Sequence, residues 1–122
     1  MKIAVTSKGT DLQSRVDTRF ARARYFIVTD TETGVVCAVD NVENQIAKGV
    51  AGFRAARRVS ETGAKMVLTR SIGPNAFAAL DAVGIKVCVD VTGTVAGAIK
   101  QFKAGKLRPA VAPNVQAYEV AS

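Results

Sequence analysis

The chain has 122 residues and a mass of 12.8 kDa, which makes a single domain the default. Hydrophobic residues make up 48% and charged residues 22%, enough for a core without disulfides or metal, so disorder, a collagen-like chain and a stapled mini-protein are excluded. Seventeen Lys and Arg face ten Asp and Glu with no His, giving +7 and a pI near 9.9. That balance attracts anions, and the missing His excludes a His general base and every His-ligated metal site.

The first apolar run, Lys2 to Thr6, is short and β-branched and stops at Ser7-Lys8-Gly9; it reads as a buried strand ending in a loop. Its N-terminal setting, MKIAVTSKG, is too short in apolar residues for a signal peptide or a membrane span, so a cytoplasmic protein with reduced thiols is expected. Residues 7–24 are polar, without helical periodicity. Tyr25 to Asp30 forms a second strand, Thr31-Glu32-Thr33-Gly34 supplies turn chemistry, and Val35 to Val39 forms a third, giving a hairpin. After 41–49 the positions Val50, Phe53, Ala56 and Val59 recur at three-residue steps, with Ala51 and Ala55 beside them. That spacing predicts an amphipathic helix ended by Gly63.

Lys65 to Thr69 reads as a fourth strand, Arg70 to Asn75 as a loop, and Ala76 to Val83 as a helix ended by Gly84. Ile85 to Val89 is a fifth strand, followed by a helix to Phe102 with Thr94 as its N-cap. The order β-β-β-α-β-α-β-α predicts an α/β domain over 1–107. Its five-stranded mixed sheet has the first, fourth and fifth strands parallel and helices on both faces. Residues 108–122, with two prolines and no periodicity, are expected to be a loosely attached tail. Cys37 and Cys88 lie inside predicted strands, not in a CxxC spacing, and read as small buried hydrophobes.

Ligands of such sheets gather beyond the carboxyl ends of the parallel strands. Four connections line that crevice: Thr6–Asp17, the start of the first helix, Arg70–Asn75 and Asp90–Thr94. Gly49 and Gly52 at the helix start allow a close backbone approach to a ligand or to a packed neighbour, and the first-turn N–H groups favour an anion. The spacing there is neither GxGxxG nor a Walker motif. Arg70 follows the fourth strand directly, beside a helix start set by Gly73-Pro74. Arg15, Arg19, Arg22 and Arg24 crowd ten residues before the second strand. A solvated basic loop is the ordinary meaning of such a run, but Phe20 within it is expected to anchor the segment.

Catalysis finds little support: Ser7, Ser14 and Ser71 have no evident base, and Ile3-Ala4-Val5 offers no carboxylate for a two-metal nuclease. A nucleic-acid-binding module is the alternative reading, weakened by five Phe, two Tyr and no Trp. An enzyme acting on a phosphorylated metabolite lacks its general base.

The sequence resembles the dinitrogenase iron–molybdenum cofactor biosynthesis family, which includes NifX-like carriers, the C-terminal part of NifB and the orange-protein branch. The resemblance rests on Met1 to Val5, on Val16, Arg19-Phe20, Arg22-Ala23 and Tyr25-Phe26, and on Gly73-Pro74-Asn75-Ala76-Phe77. It continues through Ala79-Leu80, Gly84 to Val87 and the threonine-rich turn before the last helix, over residues 1–107. It implies a ribonuclease H-like fold and non-covalent handling of metal–sulfur cofactors without turnover. For the orange-protein branch it implies a molybdenum–copper sulfide cluster. Such a cluster is anionic and carries its own sulfide, so arginines and backbone N–H groups suit it.

The chain departs from relatives at Ala21 and Arg70, where Gly is frequent, and has no His near the first helix. These departures favour a pre-assembled anion over a cofactor needing a protein ligand. The expected function is carriage of an anionic molybdenum-containing metal–sulfur cluster, either Mo–Cu sulfide or an iron–molybdenum cofactor precursor. Arg19, Arg22 and Arg70 are expected as charge partners, with Gly49, Ser71 and Thr94 near the backbone donors. Expected partners are the cluster and a cofactor-assembly or acceptor protein, with no membrane and no nucleic acid.

Overall fold

The computed structural model describes residues 1–46 and 50–116. β1 (Lys2–Ser7), β2 (Tyr25–Asp30) and β3 (Val36–Asp40) form an antiparallel meander, and β4 (Met66–Leu68) and β5 (Lys86–Cys88) continue the sheet parallel to β1. The strand order is β3-β2-β1-β4-β5. The helices are α1 (Val42–Ile46), α2 (Ala51–Glu61), α3 (Pro74–Ala82) and α4 (Val95–Lys103). The expected five-stranded mixed sheet and its parallel set are therefore present.

Both faces of the central strands are buried, as their uninterrupted apolar runs require. One face packs Phe20, Phe26, Val67 and Val87 against Ala55 and Val59 of α2 and Leu80 of α3. The other packs Ile3, Val5, Ile27 and Leu68 against Val95 and Ala98 of α4. At the β2–β3 turn the Asp30 carboxylate accepts from Glu32 N–H, and Gly34 takes φ +76°, a left-handed conformation that glycine adopts without penalty. These contacts, with the Glu32 N–H first among them, hold the Asp30 carboxyl below its ordinary range.

The third strand begins at Val36 rather than Val35, and Val35 is exposed. α1 was not predicted, since its five residues carry no apolar period. It starts where Asp40 Oδ1 accepts from Val42 N–H and then from Arg24 Nη1, contacts that hold the Asp40 carboxyl below its ordinary range. The buried face of α2 is Ala51, Ala55, Ala56 and Val59, while Val50 and Phe53 lie exposed. The three-residue spacing placed the face one strip too far round. The small residues Ala51, Ala55 and Ala56 join the core cluster with Leu80 and Ala76 of α3, and Phe53 stays outside it.

Cys88 is buried beside the Met66 thioether, and burial pushes its thiol up. Cys37, expected in the core, is exposed instead, because β3 is an edge strand whose Val36, Cys37 and Ala38 remain uncovered. In the folded protein an aromatic disulfide reagent is expected to titrate one thiol rapidly and the other only on unfolding. Cys37→Ser should remove the rapid phase; two equal rapid phases would contradict this burial pattern.

Of residues 108–122, expected to be a loose tail, 117–122 lie outside the described residues, and two specific anchors hold the part before them. The Ala110 N–H donates to the Val87 carbonyl at 2.7 Å, and the Asn114 side chain bonds to Arg70, Ile72 and Asp90. Among the described residues, no helix is long and apolar enough to cross a membrane.

Candidate functional site

The carboxyl ends of β1, β4 and β5 open onto three loops stitched together by main-chain bonds. Asp17 N–H returns to the Thr6 carbonyl at 3.0 Å, and Val16 N–H reaches the Gly93 carbonyl at 2.8 Å. Isolated bridges join Ser7 to Val16, Arg15 to Thr94 and Arg19 to Ser71. Asp90 N–H closes the set by donating to the Arg70 carbonyl at 2.9 Å. Beneath them the buried Thr6 and Thr69 hydroxyls lie 3.0 Å apart. Three of the four predicted connections therefore meet; Gly49, in the fourth, lies outside the described residues.

The Arg15–Arg24 segment is held in place. Phe20 is fully buried with its ring centroid 5.2 Å from that of Phe26, and its N–H donates to the Ser71 carbonyl at 3.0 Å. The buried Asn41 side chain donates to the carbonyls of Ala21 and Ala23. The Asp17 carboxylate accepts from Thr18 and Arg24 N–H groups, so it is committed to folding the loop. The anchoring role expected of Phe20 is observed.

Arg19 is half-buried beside Ser71, whose hydroxyl donates to the Thr18 carbonyl, and Arg70 is exposed at the end of β4. Arg22 Nη1 donates to the Gln45 carbonyl at 2.7 Å, which ties the segment to α1. Thr94 joins the site as a cap. Its hydroxyl oxygen accepts from Gly97 N–H, while Val95 and Ala96 N–H donate to Ser14 and Leu12 carbonyls. The first turn of α4 thus has no donors left for a ligand.

The starts of α2 and α3 differ from that of α4. Their N-cap positions are Val50 and Gly73, side chains that cannot cap, and Pro74 opens α3. The two starts touch: a Cβ built on Gly52 would lie 3.1 Å from Ala76 N. Gly52 therefore serves close helix packing, the blander of its two readings. First-turn N–H groups and the positive ends of two helix dipoles converge beside the 70–73 loop. In the three loops Lys8, Arg15, Arg19, Arg22, Arg24 and Arg70 stand against Asp11, Asp17 and Asp90, six cations to three carboxylates.

No group of three His, Cys, Asp or Glu among the described residues could hold a metal ion. Sequence reasoning missed Asn114 and Asn41, because a lone Asn in aperiodic sequence carries no signal of what it bonds.

A meander leading into parallel β4 and β5, with helices on both faces of the sheet, defines a ribonuclease H-like α/β domain. The profile of the family described as dinitrogenase iron-molybdenum cofactor matches residues 1–105, and the chain belongs to that family. The apo form of the orange protein from Desulfovibrio gigas superimposes with a TM-score of 0.91 at 42% identity, covering 93% of this chain and 96% of that one. A putative NifB protein from Thermotoga superimposes at 0.78 with 39% identity, covering 88% and 91%. An uncharacterized protein of Methanocaldococcus jannaschii is 27% identical over 96 residues, 77% of this chain and 81% of its own length. Membership implies binding of a metal cluster or cofactor, in a family whose members are typically carriers rather than catalysts.

Proposed function

We propose that this protein binds and carries, without catalytic turnover, a pre-assembled anionic molybdenum-containing metal–sulfur cluster. A Mo–Cu sulfide fits best, and an iron–molybdenum cofactor precursor is the related cargo. The observation that supports this reading is the bridge of Arg19 to Ser71, next to Arg70 in sequence, in a fold whose α2 and α3 start without a side-chain cap. Guanidinium groups present planar donor forks to anionic ligand atoms. Helix starts add fixed donors that need no reorganisation. The cargo supplies the metal's ligands, and the protein supplies charge, shape and shielding. A cofactor-assembly or acceptor protein completes the route on either side.

Mixing the protein with tetrathiomolybdate and copper, then desalting, is expected to leave a visible chromophore and bound molybdenum on the protein. Retention should weaken as salt rises, because the attraction is electrostatic. A colourless, molybdenum-free protein fraction would overturn the reading. Salt-sensitive binding of duplex or single-stranded nucleic acid in its place would support the rival module.

A further inference from the structure

We infer that Asn114 is a positioning residue that sets the Arg70–Ile72 loop for anion binding, an inference resting on the function proposed above. Asn114 lies beyond residues 1–105, the part matched to the family. Its Oδ1 accepts from Ile72 N–H at 2.9 Å and its Nδ2 donates to the Arg70 carbonyl at 2.9 Å. Those two groups flank Ser71, and together they form the pair that a neighbouring strand would engage on one side of that residue. On the other side Ser71 bridges to Arg19, with Phe20 N–H on its carbonyl. A side-chain carboxamide, one donor face and one acceptor, thus stands in for a peptide and holds Arg70–Ile72 extended beyond the end of β4.

The same Nδ2 lies 3.2 Å from Asp90 Oδ1. Asp90 holds φ +62°, a strained conformation for a residue with a side chain, sustained by surrounding contacts. Its N–H also donates to the Arg70 carbonyl. One carboxamide therefore clamps the loops after β4 and β5 to each other. The Ala110 N–H to Val87 carbonyl bond brings the chain back to this point. With the clamp in place Arg70 leaves a fixed backbone, and less ordering remains to be done when an anion binds.

Two measurements on the full chain test this. Asn114→Ala is expected to speed exchange of the Ile72 amide about tenfold or more, with little change in Tm. It should also weaken tetrathiomolybdate binding roughly fivefold, the effect of one or two lost hydrogen bonds. In an Arg70→Ala background the same substitution should cost little further affinity, since residues acting through one another are not additive. An unchanged Ile72 exchange rate would overturn the clamp. Faster exchange with unchanged affinity, or an equal loss in both backgrounds, would overturn the positioning role. Failure of the unsubstituted protein to bind tetrathiomolybdate overturns the proposed function, while the Ile72 amide still decides the clamp by itself.

Discussion

Replacing Arg19 and Arg70 together with alanine is expected to abolish retention of the thiomolybdate chromophore while the protein stays folded. Hydrogen bonds to charged groups contribute about 1.5–3 kcal/mol each, so losing two corresponds to roughly two orders of magnitude in affinity or more. The fold should survive because the Arg19–Ser71 bridge and the Phe20 N–H bond are main-chain features. Lys100→Ala with Lys103→Ala removes the same two charges from the opposite end of α4. That pair should leave binding within about twofold, the residue of a screened long-range effect. If both pairs lose equally, the anion is answering net charge and the crevice is not its site. Arg70→Lys should fall between, keeping charge but losing the guanidinium fork.

Phe20→Ala carries the largest expected effect on stability. The ring is fully buried and tilted 39° against Phe26, and removing such a ring costs about 3–5 kcal/mol. For a domain of this size that lowers Tm by roughly 10–20 °C. The same residue fixes Arg19, its neighbour in sequence, so binding measured well below the new Tm should weaken too. Phe20→Leu keeps an apolar anchor and should restore most of both properties. A shift of only a degree or two in Phe20→Ala would mean that the Arg15–Arg24 segment is held by something other than this ring.

Much of this arrangement was legible beforehand because it rests on periodic or local signals. Strands within one residue of their predicted limits, the Thr94 cap and the turn ending in Gly34 follow from β-branched runs, hydroxyl capping and positive φ. The pairing of Arg19 with Ser71, 52 residues apart in sequence, followed only in outline, from both loops leaving the same sheet end. What stayed hidden depended on side-chain direction. Arg22 lies three residues from Arg19 yet turns to Gln45, and Phe53 carries the right spacing for a core position on the wrong side of α2. Cys37 was misplaced because a sequence does not show which strand is at the edge. Asn114 was invisible because a polar side chain substituting for a peptide leaves no pattern.

The open side of β3 bears on how the protein behaves in concentrated solution. From Val35 to Val39 five successive residues are uncharged and apolar, and their outward main-chain groups offer a template for further strands. Nothing in those five positions repels a second molecule. Colloidal stability therefore rests on the overall +7, whose reach is about 8 Å at physiological ionic strength and about 3 Å in molar salt. Salting this protein removes its barrier to growth by edge addition, and low-salt storage preserves it.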